Sequence, residues 1–189
     1  MFKHRLIIAV TGASGAIYAR NLFEKLKEMP LQIERCGVVF SNYAKQVWQH
    51  ELGNADFKEL PWKVYDNDNM FAPLASGSAG YKNMIIIPCS MGTMGRIASG
   101  VASDLITRAA DVMLKERGRL IIVPRELPYN LIHINNMKTL TEAGAIICPA
   151  SPSFYSKPQS IDALVNTVVD RVLDLASFSL DTFKWKEYE

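Results

Sequence analysis

Apolar runs of strand length alternate along this chain with stretches in which apolar residues return at helical spacing. The runs fall at residues 5–10, 36–40, 83–88, 119–124 and 145–149. Between them, residues 17–29 repeat apolar positions at Ile17, Leu22, Phe23 and Leu26, and residues 42–52 do so at Val47, Trp48 and Leu52. Residues 103–117 predict a long helix with Ser103 as N-cap and Gly118 as its stop. Two more helices are expected at 132–143, ended by Gly144, and at 160–178. Asn83-Met-Ile-Ile-Ile-Pro88 has no polar alternation after its first residue, the pattern of a strand covered on both faces. Strands alternating with helices predict a Rossmann-like α/β fold, doubly wound, with a mostly parallel sheet and helices on both faces as three α/β/α layers. One domain is expected over 1–189, with 179–189 as an aromatic tail, and residues 53–69 read as an irregular surface loop.

The polar residues that interrupt this pattern cluster where strands end. Thr11-Gly-Ala-Ser-Gly-Ala16 joins the first strand to the first helix. Gly12 and Gly15 permit close backbone approach, Ser14 is expected to cap the helix, and the amides at its N-terminus are expected to face an anion. Cys89-Ser-Met-Gly-Thr-Met-Gly-Arg96 repeats the arrangement after a second strand, and two such loops can converge on one phosphate. The dinucleotide fingerprint wants a third glycine and an acid closing the next strand. Here that strand closes on Ser41, which turns the reading from NAD towards a mononucleotide such as FMN. Arg125-Glu126 follows another buried run, and reads either as a structural ion pair or as functional groups at the sheet edge.

Composition narrows the class. Twenty-one Lys and Arg against 19 Asp and Glu leave a net charge of +2, with no basic block that would suit nucleic acid. No apolar run approaches the roughly 20 residues of a membrane span, and the cytoplasm is the expected location. Cys36, Cys89 and Cys148 lie in or at the end of apolar runs, as reduced packed thiols do. His4, His50 and His133 are scattered, and Asp66 and Asp68 have no matching acidic cluster, so no metal site is expected.

Six motifs in order carry a resemblance: Thr-Gly-Ala-Ser-Gly-Ala (11–16), Ala-Ser-Gly-Ser (75–78), Pro-Cys-Ser-Met-Gly-Thr (88–93), Arg-Ala-Ala-Asp-Val-Met-Leu-Lys-Glu-Arg (108–117), Val-Pro-Arg-Glu-Leu-Pro (123–128) and Phe-Tyr-Ser-Lys-Pro-Gln-Ser-Ile-Asp (154–162). With these the chain resembles the UbiX flavin prenyltransferase family, whose members were formerly described as phenylacrylic or aromatic acid decarboxylases. The resemblance implies an enzyme that joins the dimethylallyl group of dimethylallyl monophosphate to reduced FMN. The product, prenylated FMN, would serve a UbiD-type decarboxylase.

Carried over by position, Gly12, Ala13, Ser14, Ser41, Ser90, Met91, Gly92, Thr93 and Arg125 would contact FMN. Lys115, Tyr155 and Arg171, with Glu51 from a neighbouring subunit, would hold the prenyl phosphate. Glu126 would move protons, with Ser14 assisting at the flavin. The resemblance also implies a homo-oligomer, a dodecamer in similar proteins. Two alternatives remain beside it: a non-catalytic FMN carrier or accessory subunit of a decarboxylase, and a flavin-dependent cysteine decarboxylase.

Overall fold

The apolar runs become strands because a central strand buries both of its faces. In the computed structural model, which describes residues 3–182, all seven residues of the strand Asn83–Cys89 are buried. Among the described residues the sheet comprises β1 (His4–Val10), β2 (Ile33–Phe40), β3 (Lys63–Tyr65), β4 (Asn83–Cys89), β5 (Arg119–Pro124) and β6 (Ile146–Ile147). All are parallel, in the order β3-β2-β1-β4-β5-β6. The chain builds outward from β1 in one direction, returns, and builds outward from β4 in the other. The reversal between β1 and β4 is the topological switch point, where open α/β sheets bind their ligands.

The helices α1 (Ala16–Lys27), α2 (Asn42–Leu52), α3 (Met91–Ala98), α4 (Leu105–Lys115), α5 (Leu131–Glu142) and α6 (Ile161–Leu175) complete the three layers. On one face Leu22, Phe23, Trp48, Val169 and Leu173 of α1, α2 and α6 pack on Leu6, Ile8 and Ile85. On the other, Met94, Ile106, Met113 and Leu140 of α3, α4 and α5 pack on Ile7, Met84 and Ile86. The expected Rossmann-like doubly wound architecture is observed.

Several local expectations are corrected. Residues 53–69 are not wholly irregular: Lys63–Tyr65 pairs with Gly37–Val39 as an edge strand. It is three residues long and largely exposed, so it leaves no periodic signature. The run at 145–149 yields only the two-residue, half-buried β6, although the Cys148 and Ala150 amides, on either side of Pro149, still donate to the Ile122 and Pro124 carbonyls of β5. Asp104, not Ser103, caps α4, through a capping box in which its carboxylate accepts from the Thr107 amide at 2.9 Å. The aromatic residues Phe183, Trp185 and Tyr188 of the tail lie outside the described residues.

Candidate active site

The loop after β1 is held in place by groups that the local sequence does not reveal. Gly15, at φ 107°, is the N-cap of α1 and offers no side chain to cap it; Ser14 does not take that role. Instead the carboxylate of Glu51, near the end of α2, accepts from the Gly15 amide at 2.9 Å and the Ala16 amide at 2.8 Å. The anion at the N-terminus of α1 is therefore the chain's own carboxylate, which corrects the expectation of free amides awaiting a phosphate. Burial pushes the Glu51 carboxyl upward. Hydrogen bonds from the Ser14 side chain and the Ala16 and Gly15 amides, with the charge of Arg125, outweigh it and leave the group below its ordinary value. Glu51 thus reaches this loop within its own chain.

Arg125 fixes the same loop from the other side, its Nε donating to the Ser14 carbonyl at 2.9 Å. It forms no ion pair with Glu126, so the structural-pair alternative for these neighbours falls; Glu126 accepts from the Leu127 amide at 3.0 Å and is half-buried. Gly12 permits a close crossing: a Cβ there would stand 2.6 Å from the Cβ of Tyr43 in the first turn of α2. Ala13 is buried beneath the loop.

With α1 filled, two helix N-termini beside the switch point still offer donors. Ser41 caps α2, its Oγ accepting from the Ala44 amide at 3.1 Å, and Ser90 caps α3, accepting from the Thr93 amide at 3.3 Å. The Met91 and Gly92 amides have no hydrogen-bond acceptor among the described residues, and a Cβ on Gly92 would meet open space. Ser90 Oγ also donates to Thr93 Oγ1 at 3.1 Å. Arg96, a residue the sequence did not single out, reaches Thr93 Oγ1 at 3.4 Å and is anchored by Asp104 at 2.5 Å. Burial raises the Asp104 carboxyl, but the Thr107 and Arg96 bonds outweigh it and hold it below its ordinary value. Amides without partners, hydroxyls, Arg96 and Arg125 make an edge suited to a phosphorylated flavin.

The residues expected to hold a prenyl phosphate are not gathered there in one protomer. Lys115 ends α4, next to the start of β5, at the opposite edge of the sheet, where it pairs with Glu116 at 2.5 Å. Its surroundings are the turn at 75–80: a Cβ on Gly77 would lie 2.4 Å from Glu116 Oε1, Ser76 and Ser78 share a hydrogen bond of 2.9 Å, and Arg108 Nε donates to the Ala75 carbonyl at 3.2 Å. Arg171 lies on α6, paired with Asp174, and lines a cavity of about 1060 Å³ with Cys148, Ser153, Thr167 and Asp170. Tyr155 is exposed on the loop before α6.

The three cysteines form no disulfide, and burial pushes the Cys36 and Cys89 thiols up to about 12. Burial also raises Cys148, against the charge of Arg171. Such thiols stay protonated and unreactive. Among the described residues no group of three or more His, Cys, Asp or Glu is placed to hold a metal ion, and no helix is long and apolar enough to cross a membrane.

Comparison with known proteins agrees with this fold. The family model described as Flavoprotein matches residues 1–173. The flavin prenyltransferase UbiX of Methanocaldococcus jannaschii is 44% identical over 183 residues, 95% of this chain and 97% of that protein. The crystal structure of AnUbiX (PadA1) in complex with FMN and dimethylallyl pyrophosphate superposes with a TM-score of 0.92 at 39% identity, covering 99% of this chain and 100% of that one. A dodecameric FMN-dependent UbiX-like decarboxylase from Escherichia coli O157:H7 also gives a TM-score of 0.92, at 37% identity over 96% of this chain and 99% of that one.

Proposed function

For a chain that belongs to the flavin prenyltransferase UbiX family, we propose that the substrates are reduced FMN and dimethylallyl monophosphate and that the product is prenylated FMN. The observation that carries this reading is the division of labour among the helix N-termini at the switch point. Glu51 neutralises α1, while α3 presents the unpartnered Met91 and Gly92 amides beside Ser90 and Thr93. The FMN phosphate would bind there and at Ser41, with Gly12, Ala13, Ser14 and Arg125 along the remainder of the cofactor. Reduced FMN, when bound, supplies the nucleophilic ring.

The allylic carbon–oxygen bond breaks as the bond to the flavin forms, and phosphate leaves with both electrons of the broken bond. Lys115 and Arg171 would stabilise the charge growing on that leaving group, with Tyr155 donating a hydrogen bond to it. Glu126 would accept a proton from the ring or deliver one to the phosphate, assisted by Ser14. In a single protomer Lys115 and Arg171 stand away from the flavin loops. We infer that neighbouring copies in a homo-oligomer bring these surfaces to the loops, a reading supported by the dodecameric relative. The product would pass to a UbiD-type decarboxylase.

Lys115 and Arg171 suit a monophosphate, whereas a diphosphate leaving group is normally met by divalent ions on acidic clusters. The crystallised relative was in complex with dimethylallyl pyrophosphate, which makes a comparison of donors the direct test. The protein is incubated with reduced FMN and either donor, with and without EDTA, and the extracted flavin is weighed by mass spectrometry. The expected result is a gain of one prenyl unit, larger with the monophosphate and unchanged by EDTA. Flavin bound without a mass gain would favour the carrier alternative, and activity lost to EDTA and restored by Mg²⁺ would show the phosphate site to be misassigned.

A further inference from the structure

The backbone ladder between β1 and β4 runs from Leu6 opposite Asn83 to Ala9 opposite Ile86 and then stops. Two residues further along, Thr11 lies beside Pro88, which has no N–H to donate. By backbone alone, a single 3.2 Å bond from the Thr11 amide would join the segments there, at the switch point. The Thr11 hydroxyl takes over: Oγ1 donates to the Pro88 carbonyl at 2.8 Å and accepts from the Ser90 amide at 2.7 Å. The Thr11 amide adds a third bond to the Pro88 carbonyl at 3.2 Å. Thr11 is 2% exposed, so these bonds form without competition from water. A hydroxyl is the smallest group that can donate to one partner while accepting from another.

We propose that Thr11 is a positioning residue for the flavin: its hydroxyl clamps the two loops across the switch point and so sets the affinity for FMN. Ser90 is the N-cap of α3, and its amide is held by Thr11. The direction of the next two amides, Met91 and Gly92, follows from that attachment, as does their distance from Ser14 and Arg125. Thr11 itself touches neither substrate, being enclosed beneath the loops. The inference rests on the flavin reading above and adds to it a residue that the motif comparison left without a role.

The test compares wild type, Thr11→Val, Thr11→Ala and Thr11→Ser in the full chain. Valine keeps the shape and deletes the hydroxyl. Alanine deletes the hydroxyl without placing a second methyl against the Pro88 carbonyl and the Ser90 amide, and so keeps the test open if the valine variant does not fold. Both are expected to weaken FMN about tenfold or more by fluorescence titration, and serine to stay within about threefold of wild type. The KM for the prenyl donor at saturating FMN is expected to stay unchanged in all three. Folded Val or Ala variants with wild-type FMN affinity would overturn the clamp while leaving the flavin reading intact, as would a Ser variant as weak as Val. A wild-type protein that takes up no FMN would overturn both.

Discussion

The two edges of the sheet differ in how complete they are within one protomer. At the C-terminal edge the loop after β1 is braced from three sides, by Thr11 at its start, Arg125 at Ser14 and Glu51 at Gly15 and Ala16. At the opposite edge and on the flank of α6, Lys115 and Arg171 each pair with an acid of their own helix end, Glu116 and Asp174. Those pairs are exposed and worth little to stability. A braced edge is prepared to bind without reorganising, whereas an exposed cation in a weak pair is easily recruited by another surface. The contrast is between a loop preorganised within the chain and cations left exposed on its surface, which is what the proposal requires of a flavin half complete in one protomer and a donor half that depends on assembly.

The largest effect that would sharpen this contrast is on turnover. Glu126→Gln preserves shape and removes the carboxyl, and is expected to retain FMN affinity while losing about 100-fold or more in turnover. Wild-type turnover across the pH range would remove Glu126 from the chemistry.

Replacing both Ser90 and Thr93 with Ala probes the flavin half alone. FMN is expected to bind about 1–3 kcal/mol more weakly, read by titration of the folded variant. An unchanged affinity would move the phosphate away from α3.

The donor half is probed by Lys115→Met, for which the KM of the prenyl donor is expected to rise about tenfold with FMN affinity unchanged. The comparison between edges is broken or kept by mixing protomers. If Lys115 serves a neighbour's loops, refolding Lys115→Met together with Glu126→Gln restores part of the activity that neither has alone. No recovery would mean that the two groups act within one chain.

The smallest expected effect is at Glu51. Glu51→Gln removes the charge facing the α1 amides and is expected to cost about 1 kcal/mol of stability at neutral pH. Because the folded-state carboxyl sits below its ordinary value of 4.5, its contribution is present above that pH. It fades as the pH falls below 4.5 through the lower folded-state value. Thermal unfolding of wild type and variant against pH should therefore converge on the acid side. Parallel curves would show that the carboxylate contributes no charge-dependent stability.

The arrangement of strands and helices was legible in the sequence because its signals are local. Periodicity marks each element, runs such as residues 83–88 announce burial on both faces, and glycine with hydroxyl residues after two strands marks the loops that meet at the switch point. The weakly periodic pieces were not legible. β3 owes its existence to pairing with Gly37–Val39 rather than to its own three residues, and β6 has only two residues, too few to show a period. Within the site, the residue types at Ser41, Ser90, Thr93 and Arg125 could be read in order along the chain, but their partners could not. Only the fold brings Glu51 to amides 36 and 35 positions earlier, and Thr11 to a carbonyl 77 positions later. The same applies to Lys115, whose motif is plain in sequence while its place at the far edge follows from α4 running back to begin β5. A hydrogen bond across the sheet depends on strand order and on where each helix ends, and those are settled by packing the layers together.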